Sequence, residues 1–225
     1  TGQVTSATII ANSPYLEDAC ERAALFPKCS YGVHLNVTQF RPLSSSGKLE
    51  RLLDNSGAFA EERIRQVSID SSLADGIFEE FCAQIGKLQS LGVAVSHIDS
   101  HHHVHTLPGL FRIVKRVQKR FQIRKARISR NIYAGHEKVS KGLLVKKALF
   151  NFSLKHYYRT KTTQGFTDFR VFLERATTGP VKHKSVELMV HLGTDTYEDE
   201  TELLQAPWQN DLHFPVRLIS FRDLG

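Results

Sequence analysis

The 225 residues are 41% hydrophobic and 24% charged, enough to bury a real core, and the 14 glycines and 7 prolines exclude collagen-like and low-complexity chains. No apolar run approaches the ~18 residues of a membrane helix, and residues 1–12 lack the basic start and apolar stretch of a secretory signal. The net charge of +7 is uneven: residues 112–159 hold 15 Lys/Arg and one acid, Glu137, whereas the remainder holds 15 Lys/Arg and 22 acids.

In chain order, residues 3–11 are β-branched and apolar, as in a buried strand. Pro14 opens a helical stretch to residue 26, with Leu16, Ala19, Cys20, Ala23 and Ala24 on one face. Residues 31–38 again read as a strand. Residues 41–72 carry SSSG, DNSG and DSS clusters and read as a long excursion with little regular structure before AEERIRQV. A helix follows, capped by Ser72 or Asp75, with Ile77, Phe78, Phe81, Cys82, Ile85, Leu88 and Leu91 at helical spacing and Gly92 at its end. Residues 93–99 read as a short strand, 107–121 as an amphipathic helix opened by Pro108, and 125–129 as another strand. A basic helix is expected at about 138–156, a turn and helix at 166–176, a strand at 186–192, an acidic helix in TYEDETELLQA, and a terminal strand at 216–221. This alternation predicts one α/β domain over 1–225 with a mostly parallel sheet; an open doubly wound sheet and a closed barrel both fit it.

Five of the 11 histidines fall within nine residues: His97, His101, His102, His103 and His105, with Asp99 among them. They follow the strand beginning at Val93, and parallel α/β proteins gather their chemistry at the C-terminal ends of strands. An extended backbone would set His97, Asp99, His101, His103 and His105 on one side. Neutral imidazoles and carboxylates are the usual ligands of divalent ions. His34, in the strand 31–38, and His191, in the strand 186–192, occupy comparable places. A metal-dependent hydrolase is the reading these strand ends favour; a histidine-rich metal store and a metallo-phosphoesterase served by the basic segment are its rivals. No nucleic-acid-binding motif accompanies the basic segment, so a nucleic-acid partner is not expected. Cys20, Cys29 and Cys82 have no CxxC spacing and read as reduced thiols of a cytoplasmic protein.

The motifs resemble those of the YdjC-like carbohydrate deacetylases. GQVTSATIIAN (2–12), YGVHLNVT (31–38), LLDNSGAF (52–59), SHIDSHHHVHTLPGLF (96–111) and ELMVHLG (187–193) are similar to that family's segments over nearly the whole chain. The resemblance implies a deformed (β/α) barrel and deacetylation of N-acetylated sugars or chito-oligosaccharides. It implies a divalent ion, Mg2+ or Zn2+, held by His34 and His101 together with an aspartate. His191 is implied as the general acid, and His97, Asp99, His103 and His105 as groups behind the ligands. Phe40 and Phe59 are candidates for stacking on sugar rings, as is Tyr31, for which buried packing is the favoured role. The family's N-A-D-D-F-G strand, which carries the general base and the aspartate ligand, has no match in this sequence. The barrel is therefore expected to lack its first strand, leaving the edge of the strand at 4–11 unpaired, so that the chain aggregates or pairs with another copy. Leu192 stands where the family has proline. A barrel that binds sugar or metal without turnover is the alternative reading.

Overall fold

The computed structural model describes residues 2–179, 181–193 and 197–225. Its elements run β1 (Ser6–Ile9), α1 (Leu16–Leu25), β2 (Ser30–Leu35), α2 (Arg63–Gln66), α3 (Ser71–Ser90), β3 (Ile98–Ser100), α4 (Phe111–Phe121), α5 (Lys141–His156), β4 (Gly165–Asp168), α6 (Phe169–Thr178), β5 (Val186–Met189) and α7 (Glu198–Gln205). Every strand pairing within the two sheets is parallel. β1, β2 and β3 lie side by side in that order, and β4 pairs with β5. Isolated parallel bridges join Ile98 to Ala126, Lys125 to Lys161 and Asn131 to Phe166, so neighbours in sequence are neighbours in space across the gap between the sheets. This is a mixed α/β fold of parallel strands. A continuous closed ladder is not seen among the described residues.

Helices α1, α3 and α4 bury their apolar faces against the three-stranded sheet. Val33, Leu35, Ile77, Phe81, Ile85, Leu88, Ile98 and Val117 are wholly enclosed there. A second cluster, Phe169, Phe172, Ala176, Leu204 and Trp208, packs α6 and α7 beneath β4 and β5.

Several boundaries differ from the sequence expectation, each for a physical reason. The cap of α3 is Asp70, whose side chain accepts from Leu73 N–H, rather than Ser72 or Asp75, which lie inside the helix or its first turn. The third strand is confined to Ile98–Ser100; upstream of it Ser96 N–H reaches Tyr31 carbonyl across a looser crossing. FTD is the end of a strand, β4, not a turn; Asp168 closes that strand and caps α6 by accepting from Arg170 N–H. Residues 216–220 form no strand. Side-chain bonds tie this segment to β1 and the residue before it instead: Thr5 Oγ1 donates to Ile219 carbonyl, and Phe221 N–H, opening a short 3-10 turn at Phe221–Asp223, donates to Ser6 Oγ. The segment 41–62 is largely irregular, with a 3-10 turn at Gly47–Leu52 and a Leu53–Phe59 bridge. Phe59 is buried in the main core and so is not offered to a sugar.

Candidate functional site

The parallel register of β2 and β3 sets His34 directly opposite Asp99. His34 Nδ1 meets Asp99 Oδ1 at 2.7 Å. Thr8, from β1, places its hydroxyl 3.1 Å from His34 Nδ1 and donates to Asp99 Oδ2 at 3.2 Å. Three neighbouring strands thus contribute one residue each to a single cluster.

Asp99 is fully buried, and burial alone would raise its pKa. The adjacent Arg127 and His34 outweigh that cost and hold the carboxyl well below the usual range. Arg127 Nη2 lies 3.0 Å from Asp99 Oδ2, and its Nε lies 2.7 Å from Glu187 Oε1 on β5. The guanidinium is itself buried and faces the Phe166 ring, 4.7 Å from its centre. Glu187 is raised in pKa by burial despite Arg127. One arginine therefore ties the two sheets together through two buried carboxylates.

His101 follows β3 and brings its ring to 5.6 Å from that of His34, edge to face. His101 Nε2 lies 3.0 Å from Gln39 Oε1. Burial, with His102 and His34 beside it, lowers the His101 pKa to about 4, so the ring is neutral near pH 7. The one-sided alternation expected of residues 97–105 ends at Ser100. His101–Thr106 coils into a 3-10 turn in which His102 and His103 take the left-handed conformation, with φ of 49° and 55°. Two consecutive non-glycine residues there carry backbone strain, a feature that gathers at functional sites.

The turn sends the remaining histidines in separate directions. His102 lies 3.1 Å from Thr38 Oγ1, 3.6 Å from Glu61 Oε1 and stacks on His101 at 3.9 Å. His103 meets the edge of Phe166 at 5.5 Å, and burial lowers its pKa to about 4. His105 turns inward, bonding Ser100 Oγ through Nδ1 at 2.5 Å, and burial takes its pKa to about 3. His97, two residues before Asp99, keeps to the same face of the sheet, where its ring lies over Gly32; it bonds Ser96 Oγ at 2.8 Å and stacks flat on Phe221 at 3.9 Å.

His191 lies beyond the end of β5. Its backbone N–H donates to the buried Glu200 Oε2 at 2.7 Å, and its ring stacks on Tyr197 at 4.6 Å. Ligand-capable atoms of Asp168, His191 and Glu200 lie within 4.8 Å of one another. That trio has the donor set of a divalent-cation site. Sequence reading missed Asp168 and Glu200, because a strand end and a helix distant in the chain carry no local signal; it also missed Thr8, Gln39, Arg127 and Glu187. Thr8 and Glu187 lay inside quoted motifs, and Arg127 was concealed in a run of basic residues.

The donor chemistry of the first cluster suits a divalent ion. His34 commits Nδ1 to Asp99, and His101 commits Nε2 to Gln39, which leaves one nitrogen of each ring outside these bonds. An imidazole bound at ~2.0–2.1 Å holds its ring centre roughly 3 Å from the ion, so centres 5.6 Å apart are close enough to share one.

Comparison with known proteins follows the same residues. The family model described as YdjC-like protein matches residues 1–216. The chain belongs to the YdjC-like family. Among curated relatives, the carbohydrate deacetylases of Geobacillus stearothermophilus and Clostridium beijerinckii are each 36% identical over 122 residues, 54% of this chain. The aligned region is 47% and 48% of those two proteins, so this YdjC-like chain spans about half the length of the curated relatives it matches. A crystal structure described as "a putative cellobiose-phosphate cleavage protein" from Enterococcus faecalis V583 superposes with a TM-score of 0.67 at 22% identity, over 88% of this chain and 74% of that one. This likeness supports the α/β fold.

Proposed function

We propose that this YdjC-like chain is the metal-binding part of a hydrolase that removes acetyl groups from N-acetylated sugars, with chito-oligosaccharides as the first substrates to test. The observation that carries the reading is the pairing of His34 with His101 while buried Asp99 stands behind His34. The relatives named carbohydrate deacetylases supply the substrate class. The expected ion is Mg2+ or Zn2+, and the wrapping order of the parallel strands supports a deformed barrel as the scaffold.

His34 and His101 would hold the ion, which when bound supplies a Lewis acid for the acetamide carbonyl and lowers the pKa of water. Asp99 fixes the His34 tautomer with Nδ1 protonated, so the opposite nitrogen faces outward. Arg127 keeps Asp99 ionised, which holds that tautomer through changes of pH. His191 would deliver a proton to the departing amine nitrogen, its backbone held by Glu200. Gln39 and the segment 41–62, which follow β2 in the chain, would form one wall of the sugar cleft.

A second reading, binding without turnover by this chain, rests on a separate observation. The carboxylates in contact with the cluster, Asp99 and Glu187, are both held by Arg127, which leaves neither placed to take a proton from water. Calorimetric titration with Zn2+ and Mg2+ and amine release from a chitin disaccharide separate these readings. The proposal expects metal binding that is lost in His34→Ala and His101→Ala. Retention of binding in both, with loss in His191→Ala, moves the ion to the Asp168–His191–Glu200 trio. Tight metal binding with no amine release supports the second reading.

A further inference from the structure

Helix α5 is the feature that the proposed chemistry leaves unexplained. Its inner side is firmly attached. Asn151 Oδ1 accepts from both the backbone and the hydroxyl of Ser129, Leu154 is buried, and Leu154 carbonyl accepts from the buried Lys115 Nζ at 2.8 Å. Lys147 also turns inward, to Asn131 Oδ1 and the Tyr133 hydroxyl, both at 2.8 Å.

Its outer side is apolar as well. Val145, Leu149 and Phe152 recur at i, i+4 and i+7, one face of a helix, and are 58%, 64% and 62% exposed. His156 continues the row and stacks on Phe152 at 4.0 Å. Exposed Lys141 and Lys146 border this strip, with Lys155 half-buried beside it. The helix contains no acid, and Glu137 is the lone acid of residues 112–159.

We propose that the outer face of α5 docks on an anionic lipid surface, with Val145, Leu149 and Phe152 entering the headgroup boundary and the lysines meeting lipid phosphates. An apolar strip edged by lysines is the pattern that lies in such an interface. Charge selects the occupant. Two copies meeting by a two-fold axis through this face would oppose lysine with lysine, whereas an anionic surface neutralises them. The helix itself is not long and apolar enough to cross a membrane. The inference stands apart from the deacetylase reading, because none of these residues belongs to the His34–His101 cluster.

The test is co-sedimentation of the full chain with vesicles of phosphatidylcholine alone and of phosphatidylcholine mixed with phosphatidylglycerol. Binding is expected to the mixed vesicles alone and to weaken with added salt. Lys141→Ala and Lys146→Ala should each lower the partition coefficient about fivefold. Leu149→Glu with Phe152→Glu should abolish binding with an unchanged far-UV spectrum, while Leu25→Glu, at an exposed site on α1, should leave binding intact. No binding to either vesicle, or equal binding to both, overturns the proposal. So does concentration-dependent dimerisation in the absence of lipid that Leu149→Glu with Phe152→Glu removes, since it assigns the face to a second copy.

Discussion

His34 and Asp99 are register partners across β2 and β3, and the 2.7 Å bond between ring and carboxylate is made by the sheet pairing itself. Sliding the register by one residue would turn one partner to the opposite face of the sheet. Asp99→Asn tests what that bond does. An amide can present its NH2 to His34 Nδ1, which selects the wrong tautomer, and it leaves Arg127 buried with Glu187 as its remaining carboxylate. The expected result is a ~10–100-fold loss of metal affinity and a stability loss of about 3 kcal/mol, read by calorimetry and urea titration. Lost stability with unchanged affinity would make Asp99 solely the partner of Arg127.

Gly32 on β2 faces the ring of His97. A Cβ built at Gly32 would come within 2.7 Å of that ring, which cannot retreat because it is stacked on Phe221. Gly32→Ala should therefore cost about 1–3 kcal/mol, measured as a change in the urea midpoint. The double variant Gly32→Ala with His97→Ala should recover part of the loss. No recovery would place the strain elsewhere.

Regular elements were legible where a period was long enough to count. The apolar positions recurring between Ile77 and Leu91 define α3, and the position of the histidines beyond β3 follows from the strand that precedes them. Their conformation was not legible. A strand pattern predicts alternation through His105, but Ser100 accepts from His105 N–H and draws the chain into a tight turn, sending His102 and His105 to different partners. VRLISF has the composition of a strand, yet Thr5 and Ser6 meet it through their side chains, which no periodicity reveals. Arg127 looked like one more surface cation until the fold enclosed it between Asp99 and Glu187.

Acid should unfold this protein by way of its buried imidazoles. Burial lowers His97 to about 4 and His105 to about 3, against 6.5 for the free side chain. The unfolded chain therefore binds more protons than the folded one as pH falls below 6.5. The stability these two groups contribute is complete above 6.5, declines as pH falls, and stops changing below about 3. Each group loses roughly 1.4 kcal/mol for every pH step of one between its unfolded and folded pKa. The loss on going from pH 7 to pH 4 is therefore on the order of several kcal/mol. Urea titrations at pH 7, 5.5 and 4 should show it, and His97→Gln should flatten the slope. A slope identical in that variant would assign the acid sensitivity to other groups.

Glu80 links helix α3 to the wall proposed for the sugar cleft. It is fully buried and accepts from Leu43 N–H at 3.1 Å, Ser44 N–H at 2.7 Å and Gln84 Nε2 at 2.8 Å. Gln84 in turn bonds both the N–H and the carbonyl of Asn36, just beyond β2. Three donors converging on one side chain require an acceptor at each oxygen. Glu80→Gln replaces one of those acceptors with an NH2 group, so at least one backbone N–H loses its partner in a site closed to water. The expected cost is about 1–3 kcal/mol, and amide hydrogen exchange should quicken in residues 41–46 more than in β2. If this segment lines the cleft, amine release from a chitin disaccharide by the variant should show a raised KM with kcat little changed, because the groups at His34 and His101 stay in place. A fall in kcat alone, with KM and exchange unaltered, would show that Glu80 does not act through the segment.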